Sequence, residues 1–419
     1  MKDSGIEWFG EIPAGWKKVR IGGLYMFRNT KVNDRDYPPL SVTMKGILPQ
    51  LETAAKSNAH DDRKLVCKGD FVINSRSDRR GSCGISSYYG SVSLINTVLA
   101  PRSDMNPVYY NWLFHTTEFS DEFYKWGHGI VDDLWTTGWQ EMKKIFIPVP
   151  PLSEQNAIAN FLDKKCAEID KLTADIKTQI EVLENYKHSI ITETVTKGLN
   201  PNVEMKDSGV EWIGKIPKNW ELKRVKYAAL LIYKGNGITK DDVVVDGDVP
   251  CVRYGEIYSK YSYVFNKCVT RTNFEKVSSP QFFSYGDILF AGTGELVEEI
   301  GKSIVYMGHD RCLAGGDIII LKHSQDPLYF GYALASIYAQ SQKSAGKAKL
   351  KVVHISASDI GNIITLIPPY EEQVAIGRFI YFKCAEIDKI ITSKNKQLAA
   401  LEEYKKSLIY EYVTGKKSV

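Results

Sequence analysis

One stretch decides the fold: residues 150–198, which read PPLSEQNAIANFLDKKCAEIDKLTADIKTQIEVLENYKHSIITETVTKG. Pro150 and Pro151 end the preceding secondary-structure element. Ser153 is expected to cap the helix that follows, and Glu154 adds negative charge to the first turn of that helix. No proline or glycine interrupts the chain again before Gly198. The stretch therefore predicts one helix of about 46 residues, roughly 69 Å long at 1.5 Å per residue.

This helix carries a heptad pattern. Apolar residues recur every seven positions, and a second apolar set fills the alternating steps of three and four residues. A pattern sustained over more than four heptads is typical of a coiled coil rather than of an ordinary surface helix. The two predicted seam sets are Leu162, Ile169, Ile176, Leu183 and Ile190, and Ile158, Cys166, Leu172, Ile180 and Tyr186.

The same stretch returns 218 positions later, from Pro368 onward. Both copies have Glu-Gln in the first turn and the hexapeptide Cys-Ala-Glu-Ile-Asp-Lys, which starts at Cys166 and at Cys384. The seam is retained except at Lys394, where the first copy has Ile176, and a lysine in a seam costs stability but can fix register. We expect the two helices to pack on each other; the alternative is that each pairs with another protein.

A second repeat precedes each segment that lies between the helices. Residues 1–16 and 205–220 are identical at eleven of sixteen positions. Exposed tryptophans can stack on nucleic-acid bases, but duplication of the whole box favours packing against a domain surface. The residues expected to pack are Trp8, Ile12 and Trp16 in the first copy, and Trp212, Ile216 and Trp220 in the second.

The segments between these repeats differ in sequence but share a sparse frame. Gly-Asp followed by apolar residues occurs at Gly69 and Gly286, and a polar residue, proline and an aromatic run begin at Asn106 and Asp326. Runs such as DFVIN, DILFAG and DIIILK predict strands, and the stretches after the two prolines predict helices. Each segment is therefore interpreted as one domain built on a common frame.

The repeats define the domain organisation. We predict an α+β fold in which two α/β domains are separated and joined by two long antiparallel coiled-coil helices, with a pseudo-twofold internal repeat. A chain of 419 residues is also too long for one core. The predicted segments are 1–149 for the first domain, 150–198 for the central helix, 199–204 for a linker, 205–367 for the second domain and 368–419 for the C-terminal helix.

Composition narrows the class of protein. Hydrophobic residues make up 43% and charged residues 25%, as in an ordinary globular protein, and no apolar run approaches the roughly 18 residues of a membrane span. The start of the chain, MKDSGIEWFG, lacks a signal-peptide pattern. Seven cysteines without a Cys-x-x-Cys pair predict free thiols in a reducing cytoplasm. The net charge of +4 favours nucleic acid only weakly.

The sequence shows no persuasive catalytic site. A methyltransferase that acts on exocyclic amines would carry Asn/Asp-Pro-Pro-Tyr/Phe, whereas this chain has Ile367-Pro-Pro-Tyr and Val149-Pro-Pro-Leu, whose first residues cannot bond the amine. No Gly-x-Gly-x-x-Gly follows a strand, and the seven histidines lack metal-ligand spacing. We predict a binding protein with no catalytic residue, metal or cofactor of its own.

Two unlike segments, each followed by a Pro-Pro-x-x-Glu-Gln helix, resemble the specificity subunits of type I restriction–modification enzymes. The resemblance covers the whole chain and is carried by the DSGxEWxGxIPxxW box at 3–16 and 207–220 and by the PPLSEQxAI and PPYEEQVAI helix starts. It implies that the segments are target-recognition domains, each reading half of a split site in double-stranded DNA. Because the segments differ, the target would be non-palindromic.

The resemblance also implies partners. The helices would set the spacing between half-sites and dock two DNA methyltransferase subunits, and motor-nuclease subunits would join for cleavage. S-adenosylmethionine, ATP and Mg would belong to those partners. Two alternatives stay open at this point: a restriction–methylation polypeptide with its own catalytic site, and a purely structural coiled-coil scaffold.

The candidate DNA-binding residues of the first domain follow the strand DFVIN. Arg76, Arg79 and Arg80 open a loop rich in glycine and serine, and arginine is the usual bidentate reader of guanine. A solvated charged loop is the competing interpretation. His128, in Trp-Gly-His-Gly, could donate a hydrogen bond to a base or a phosphate.

The second domain offers lysines instead. The run KSAGKAKLK suits phosphate contact more than base reading. Arg253 and Tyr254 are a weaker pair, since they could equally be a surface arginine and a tyrosine at the core edge. The candidate lysines are Lys343, Lys347, Lys349 and Lys351.

Overall fold

The computed structural model describes residues 1–52, 60–102, 104–129, 135–211, 213–348 and 352–419. The chain forms two compact units. Unit 1 comprises Met1–Lys177 and Asn395–Val419, and unit 2 comprises Thr178–Lys394. Each unit therefore holds one lead-in box, one variable segment and one part of each long helix.

Helices α1 to α11 are Ile21–Leu24, Pro107–Phe114, Thr117–Lys125, Trp139–Met142, Leu152–Lys197, Val225–Ala228, Tyr254–Ser259, Pro327–Ala335, Ile337–Ser344, Ala357–Asn362 and Tyr370–Val413. The prediction of a long helix in each half is confirmed by α5 and α11, of 46 and 44 residues. The helices predicted after Pro107 and Pro327 are each broken in two. The break falls where Thr116 and Ser336 accept a backbone N–H and so cap α3 and α9.

The strands of unit 1 form antiparallel sheets. The largest sheet has the order β10-β9-β12-β4, a second has the order β11-β8-β5, and β1-β2, β3-β13 and β6-β7 are two-stranded. Strands β1 to β13 are Lys2–Asp3, Glu11–Ile12, Lys17–Arg20, Tyr25–Phe27, Lys31–Val32, Leu40–Thr43, Gly46–Pro49, Arg63–Val66, Phe71–Asn74, Cys83–Ile85, Gly90–Ser93, Asn96–Pro101 and Phe146–Val149.

Unit 2 has two larger mixed sheets. Their orders are β17-β27-β23-β25-β20 and β18-β21-β19-β26-β22, and β14-β15, β16-β29 and β24-β28 are two-stranded. Strands β14 to β29 are Met205–Asp207, Lys215–Pro217, Glu221–Arg224, Ala229–Lys234, Val243–Val244, Val249–Val252, Val264–Phe265, Thr270–Thr272, Phe282–Phe283, Ile288–Ala291, Thr293–Gly294, Ser303–Tyr306, Cys312–Ala314, Ile318–His323, Val353–His354 and Ile364–Ile367. The runs DFVIN and DILFAG contain β9 and β23, and DIIILK contains all but the last residue of β27, so those strand predictions are confirmed.

The start of α5 differs from the prediction. The helix begins at Leu152, and the N–H of Gln155 donates to the carbonyl oxygen of Pro151 at 3.0 Å. Ser153 therefore lies inside the first turn and is not the cap. Proline has no N–H to leave unpaired, so a helix can start directly after it.

The long helices pack antiparallel, and the same ion pair sets their register in both units. Lys187 Nζ lies 2.8 Å from Asp388 in unit 2, and Lys405 Nζ lies 2.6 Å from Asp170 in unit 1. Both aspartates belong to the repeated hexapeptide. Lys394 donates to Gln179 of the other helix, which gives the seam lysine a polar partner.

The predicted seam is only partly buried. Leu162 and Ile380 are fully buried, and Cys166 and Cys384 are small buried residues as expected. Leu172 and Tyr186, however, are 51% and 56% exposed. Their assignment to the seam is wrong, because two helices bury a narrower stripe than the full apolar pattern offers.

The lead-in box packs as predicted. Trp16 is buried in unit 1 and Trp220 in unit 2, and each belongs to a core that also contains sheet and long-helix residues. Trp212 lies outside the described residues. Packing rather than base stacking therefore accounts for the described tryptophans of the box.

The Gly-Asp frame also has a structural role. Asp70 accepts from Arg28 at 2.6 Å, and Asp287 accepts from Lys322 at 2.6 Å; both carboxylates are nearly fully buried. Each carboxylate also accepts the backbone N–H three residues earlier and so closes the turn before its strand. The shared frame fixes the strands that lead to the candidate site.

Candidate DNA-recognition interface

Strand β9 runs directly into the loop that carries the three predicted arginines, residues 75–82. A 3-10 turn forms at Ser77–Arg79, and Gly81 follows with a φ of 73°, a left-handed conformation that glycine adopts without strain. The side chains of Arg79 and Arg80 are 68% and 58% exposed. The loop therefore presents two guanidinium groups to solvent.

Helix α3 holds this loop. The hydroxyl of Tyr124 donates to the carbonyl oxygen of Arg76 at 2.8 Å, and burial raises the pKa of that hydroxyl. The guanidinium of Arg80 lies 5.1 Å from the Tyr124 ring and bonds Asp121 at 3.0 Å. Because the Arg80–Asp121 pair is exposed on both sides, it is worth about 0–1 kcal/mol. Arg80 can therefore exchange Asp121 for a phosphate or a base at little cost.

The structure brings His128 to the same place. The backbones of Arg76 and His128 both form antiparallel bridges to Thr136, and the His128 side chain is exposed. Gly127 directly precedes His128. A side chain at Gly127 would place its Cβ 2.4 Å from Trp135 Nε1, so only glycine fits there. The four candidates of the first domain, Arg76, Arg79, Arg80 and His128, thus form one cluster. The sequence alone did not predict that His128 lies beside the arginine loop.

Unit 2 contains a loop in the equivalent position, residues 292–302. It follows β23, includes a 3-10 turn at Val297–Glu299 and contains Gly301 at a φ of 70°. Its Thr293 pairs with His354 across β24 and β28, just as Arg76 pairs with Thr136. The sequence alone does not indicate this equivalence because the two loops differ in length. Gly81 lies seven positions after Asn74, the last residue of β9, whereas Gly301 lies ten positions after Ala291, the last residue of β23.

The two equivalent loops carry opposite charge. Loop 75–82 holds three arginines and one aspartate, and loop 292–302 holds three glutamates and one lysine. His354 is exposed in unit 2, and its Nδ1 lies 3.1 Å from Thr293 Oγ1. This histidine is a candidate contact that the sequence did not indicate, since its partner lies 61 positions away.

The prediction that Lys343 contacts phosphate is wrong for this structure. Its side chain is buried, and Nζ donates to the carbonyl oxygens of Gly301 and Leu334 at 2.8 and 2.9 Å. Burial lowers the pKa of Lys343 to about 7. A side chain that lies on the inner face of α9 cannot reach a phosphate without unfolding that helix.

The other lysines of the run are placed differently. Lys347 is partly exposed and bonds Asp359 at 3.0 Å, so a phosphate would compete with that carboxylate. Lys349 and Lys351 lie outside the described residues. The phosphate assignment of these three lysines stays a prediction.

The second candidate pair of unit 2 is also engaged. Arg253 bonds the buried carboxylate of Glu256 at 3.0 Å at the start of α7. Tyr254 is 39% exposed. Their DNA contact stays a prediction, and Arg253 would have to share its guanidinium with Glu256.

The described residues also bear on two other functions, metal binding and membrane insertion. Among those residues no group of three or more histidine, cysteine or acidic side chains could hold a metal ion. Within the described part of the chain, no helix is long and apolar enough to cross a membrane.

Known proteins of one family resemble this chain. Residues 13–182 match the model of the type I restriction modification DNA specificity domain. The type I restriction enzyme MjaVIII specificity subunit of Methanocaldococcus jannaschii is 24% identical over 97% of this chain and 93% of its own length. The chain is thus similar to type I restriction enzyme specificity subunits over nearly its whole length.

Two further comparisons are consistent with this assignment. The MjaX specificity subunit of the same organism is 28% identical over 66% of this chain, which spans only 60% of that relative's length. A solved structure concerned with complex assembly and conformational transition of the type I R-M system covers 96% of this chain and 98% of its own, with a TM-score of 0.71 and 14% identity. That likeness shows the fold. Members of this family are DNA-recognition subunits rather than catalytic ones, so the sequence-based prediction of a non-catalytic chain is confirmed.

Proposed function

We propose that this specificity subunit reads a split, asymmetric sequence in double-stranded DNA, one half with each of its two loops. The observation that carries the proposal is the pair of equivalent loops, 75–82 and 292–302, which occupy the same place on a duplicated frame with opposite charge. A duplicated frame supports two similar docking geometries, while unlike loops support two different half-sites.

The first half-site would contain guanine. Arg79 and Arg80 are exposed, and arginine donates in bidentate fashion to guanine O6 and N7. Glutamates cannot make that contact, because guanine offers only acceptors at its major-groove edge. The second half-site, read beside loop 292–302, would therefore be recognised through different base contacts. Lys347, Lys349 and Lys351 would supply phosphate contacts there.

The antiparallel helices would set the gap between the half-sites. Their register is locked twice, by Lys187 with Asp388 and by Lys405 with Asp170. A locked register gives a spacer of defined length, which a split target requires.

The same helices would dock two copies of a DNA methyltransferase subunit. Leu172 and its repeat partner Ile390 are 51% and 47% exposed, and Tyr186 and its partner Tyr404 are 56% and 55% exposed. Each unit thus has an exposed aliphatic residue on one helix and an exposed tyrosine on the other, beside an ion pair that sets the register. Two like surfaces suit two copies of one partner.

Other components would come from the assembly. S-adenosylmethionine would bind the methyltransferase subunits, and ATP and Mg would serve motor-nuclease subunits that join for cleavage. This chain would supply recognition, in the cytoplasm, where its free cysteines stay reduced.

The test is methyl transfer by purified components. The chain should transfer no methyl group alone and should direct modification of one split site when its methyltransferase partner is present. Transfer by the chain alone would support a polypeptide with its own catalytic site. Absence of sequence-specific DNA binding by the assembled complex would support a coiled-coil scaffold instead.

A further inference from the structure

Unit 2 contains a buried lysine whose role the proposed function does not explain. Lys343 is 2% exposed, and its described partners are the carbonyl oxygens of Gly301 and Leu334, with the Phe290 ring 5.7 Å from Nζ. Burying an ammonium group without a carboxylate partner is unfavourable. Because the burial of Lys343 is unfavourable, we expect this residue to have a role beyond packing.

Packing alone does not require a lysine at this position. Lys343 lies seven residues after Ser336, the cap of α9, and Phe123 lies seven residues after Thr116, the cap of α3. Phe123 is fully buried. An apolar residue therefore satisfies the core at the equivalent position of unit 1.

One hydrogen bond of Lys343 joins it to loop 292–302, the recognition loop of unit 2. Gly301 is the left-handed glycine that follows the 3-10 turn Val297–Glu299. One turn earlier on α9, Gln340 Nε2 donates to the carbonyl oxygen of the adjacent residue, Ile300, at 2.9 Å. Two side chains of α9 thus hold two consecutive carbonyl groups at the base of loop 292–302.

We propose that Lys343, together with Gln340, is a positioning residue that fixes loop 292–302 for base reading in the second half-site. This inference rests on the proposed function. Unit 1 solves the same task with different chemistry, because Tyr124 of α3 donates to the carbonyl oxygen of Arg76 in loop 75–82. Each recognition domain therefore holds its loop from an equivalent helix, α3 or α9, with a hydroxyl in one case and an ammonium and an amide in the other.

The test uses Lys343→Met in the full chain, assembled with its methyltransferase. Methionine keeps the length and apolar contacts of the lysine stem but donates no hydrogen bond. Methylation rates are compared on the cognate duplex and on duplexes with one base changed in either half-site. Discrimination in the second half-site should fall by about tenfold or more, the scale of one well-made base contact, while discrimination in the first stays unchanged.

Matched variants separate positioning from folding. Phe123→Met, at the equivalent buried position of unit 1, should leave discrimination in the second half-site unchanged. Gln340→Met removes the bond to Ile300 without disturbing a buried charge, and should also relax the second half-site, so it provides the test if Lys343→Met does not fold.

Several outcomes would overturn the proposal. Unchanged discrimination in folded Lys343→Met, or in Gln340→Met where the lysine variant does not fold, would show that the residue serves packing alone. Equal loss in both half-sites would show a general effect on the assembly. If the unmodified complex showed no split recognition site, the proposed function itself would fail, a result distinct from either of these.

Discussion

The indole nitrogen of Trp16 donates to a carboxylate oxygen of Glu154 at 2.7 Å. The same bond, also 2.7 Å long, joins Trp220 to Glu372 in the other unit. These four residues come from the two repeats that first revealed the duplication. The bond fastens each lead-in box to the first turn of a long helix, so the tryptophan and the glutamate recur together.

Trp16→Phe should therefore destabilise unit 1. A hydrogen bond to a charged group is worth about 1.5–3 kcal/mol, and the phenylalanine cannot donate it. Urea unfolding followed by far-ultraviolet circular dichroism measures the loss. Trp126→Phe is the matched control, because Trp126 makes the same kind of bond to Glu122 on an exposed surface and should cost less than about 1 kcal/mol. Equal losses in both variants would contradict the anchoring role.

The equivalent ion pairs of the long helices should differ in strength. The side chain of Lys187 is 7% exposed and bonds both Asp388 and Glu184, whereas that of Lys405 is 27% exposed and bonds Asp170. Lys187→Met is expected to cost about 1–3 kcal/mol and Lys405→Met less than about 1 kcal/mol. Denaturant unfolding of the two variants measures the difference, and a larger cost for Lys405→Met would refute this ranking.

The contribution of Lys187 should also depend on pH. Burial lowers its pKa, but the bonds to Asp388 and Glu184 outweigh burial, and the pKa stands above its ordinary 10.5. A raised lysine pKa stabilises the folded state at lower pH, and this contribution disappears as pH rises through the folded-state value. The stability gap between the native chain and Lys187→Met should therefore be constant near neutrality and shrink above about pH 10.5. A gap that widens there would contradict the assignment.

The sequence revealed the duplication, the long helices and the arginine loop because each depends on a local pattern. It did not reveal that Asp170 and Asp388 pair with lysines of the opposite helix, since that pairing depends on antiparallel register. Local charge density alone predicts a phosphate contact for Lys343, and that prediction is wrong. The periodicity of α9 places it four residues after buried Ala339, on the inner face of the helix.

The equivalence of the two recognition loops was out of reach for a different reason. Loop 292–302 is longer and carries acidic residues where loop 75–82 carries arginines. Backbone features align them: a 3-10 turn and a left-handed glycine in each loop, and the pairing of Arg76 with Thr136 and of Thr293 with His354. A loop is free to diverge in length and charge because it lies at the end of strands whose packing fixes the frame.

Arg79→Ala should change recognition in one half-site only. The Arg79 side chain is 68% exposed, so its removal leaves the fold intact, and a lost bidentate contact costs about 1–3 kcal/mol of discrimination. Mapping methylation by the variant with its partner present measures base preference at each position. Lys218→Ala, which removes an exposed charge in the second lead-in box, is the control and should leave both half-sites unchanged. Altered preference in the second half-site of Arg79→Ala would contradict the assignment.

Shortening both long helices by one heptad should shorten the spacer. Deleting residues 176–182 together with 394–400 leaves both register-setting ion pairs in place and keeps the seam in phase. Seven residues at 1.5 Å correspond to about 10 Å, or roughly three base pairs at 3.4 Å each. Methylation mapping should show unchanged half-sites with a shorter gap. An active variant that keeps the original gap would refute the role of the helices in spacing.

The central claim is that this chain chooses the DNA sequence that its partner modifies. The most direct measurement is genome-wide mapping of modified bases in cells that carry the gene with its neighbours and in cells that lack only this gene. The account predicts one split motif with two unlike halves, fully modified in the first strain and unmodified in the second. Modification that persists without the gene, or a continuous palindromic motif, would contradict it.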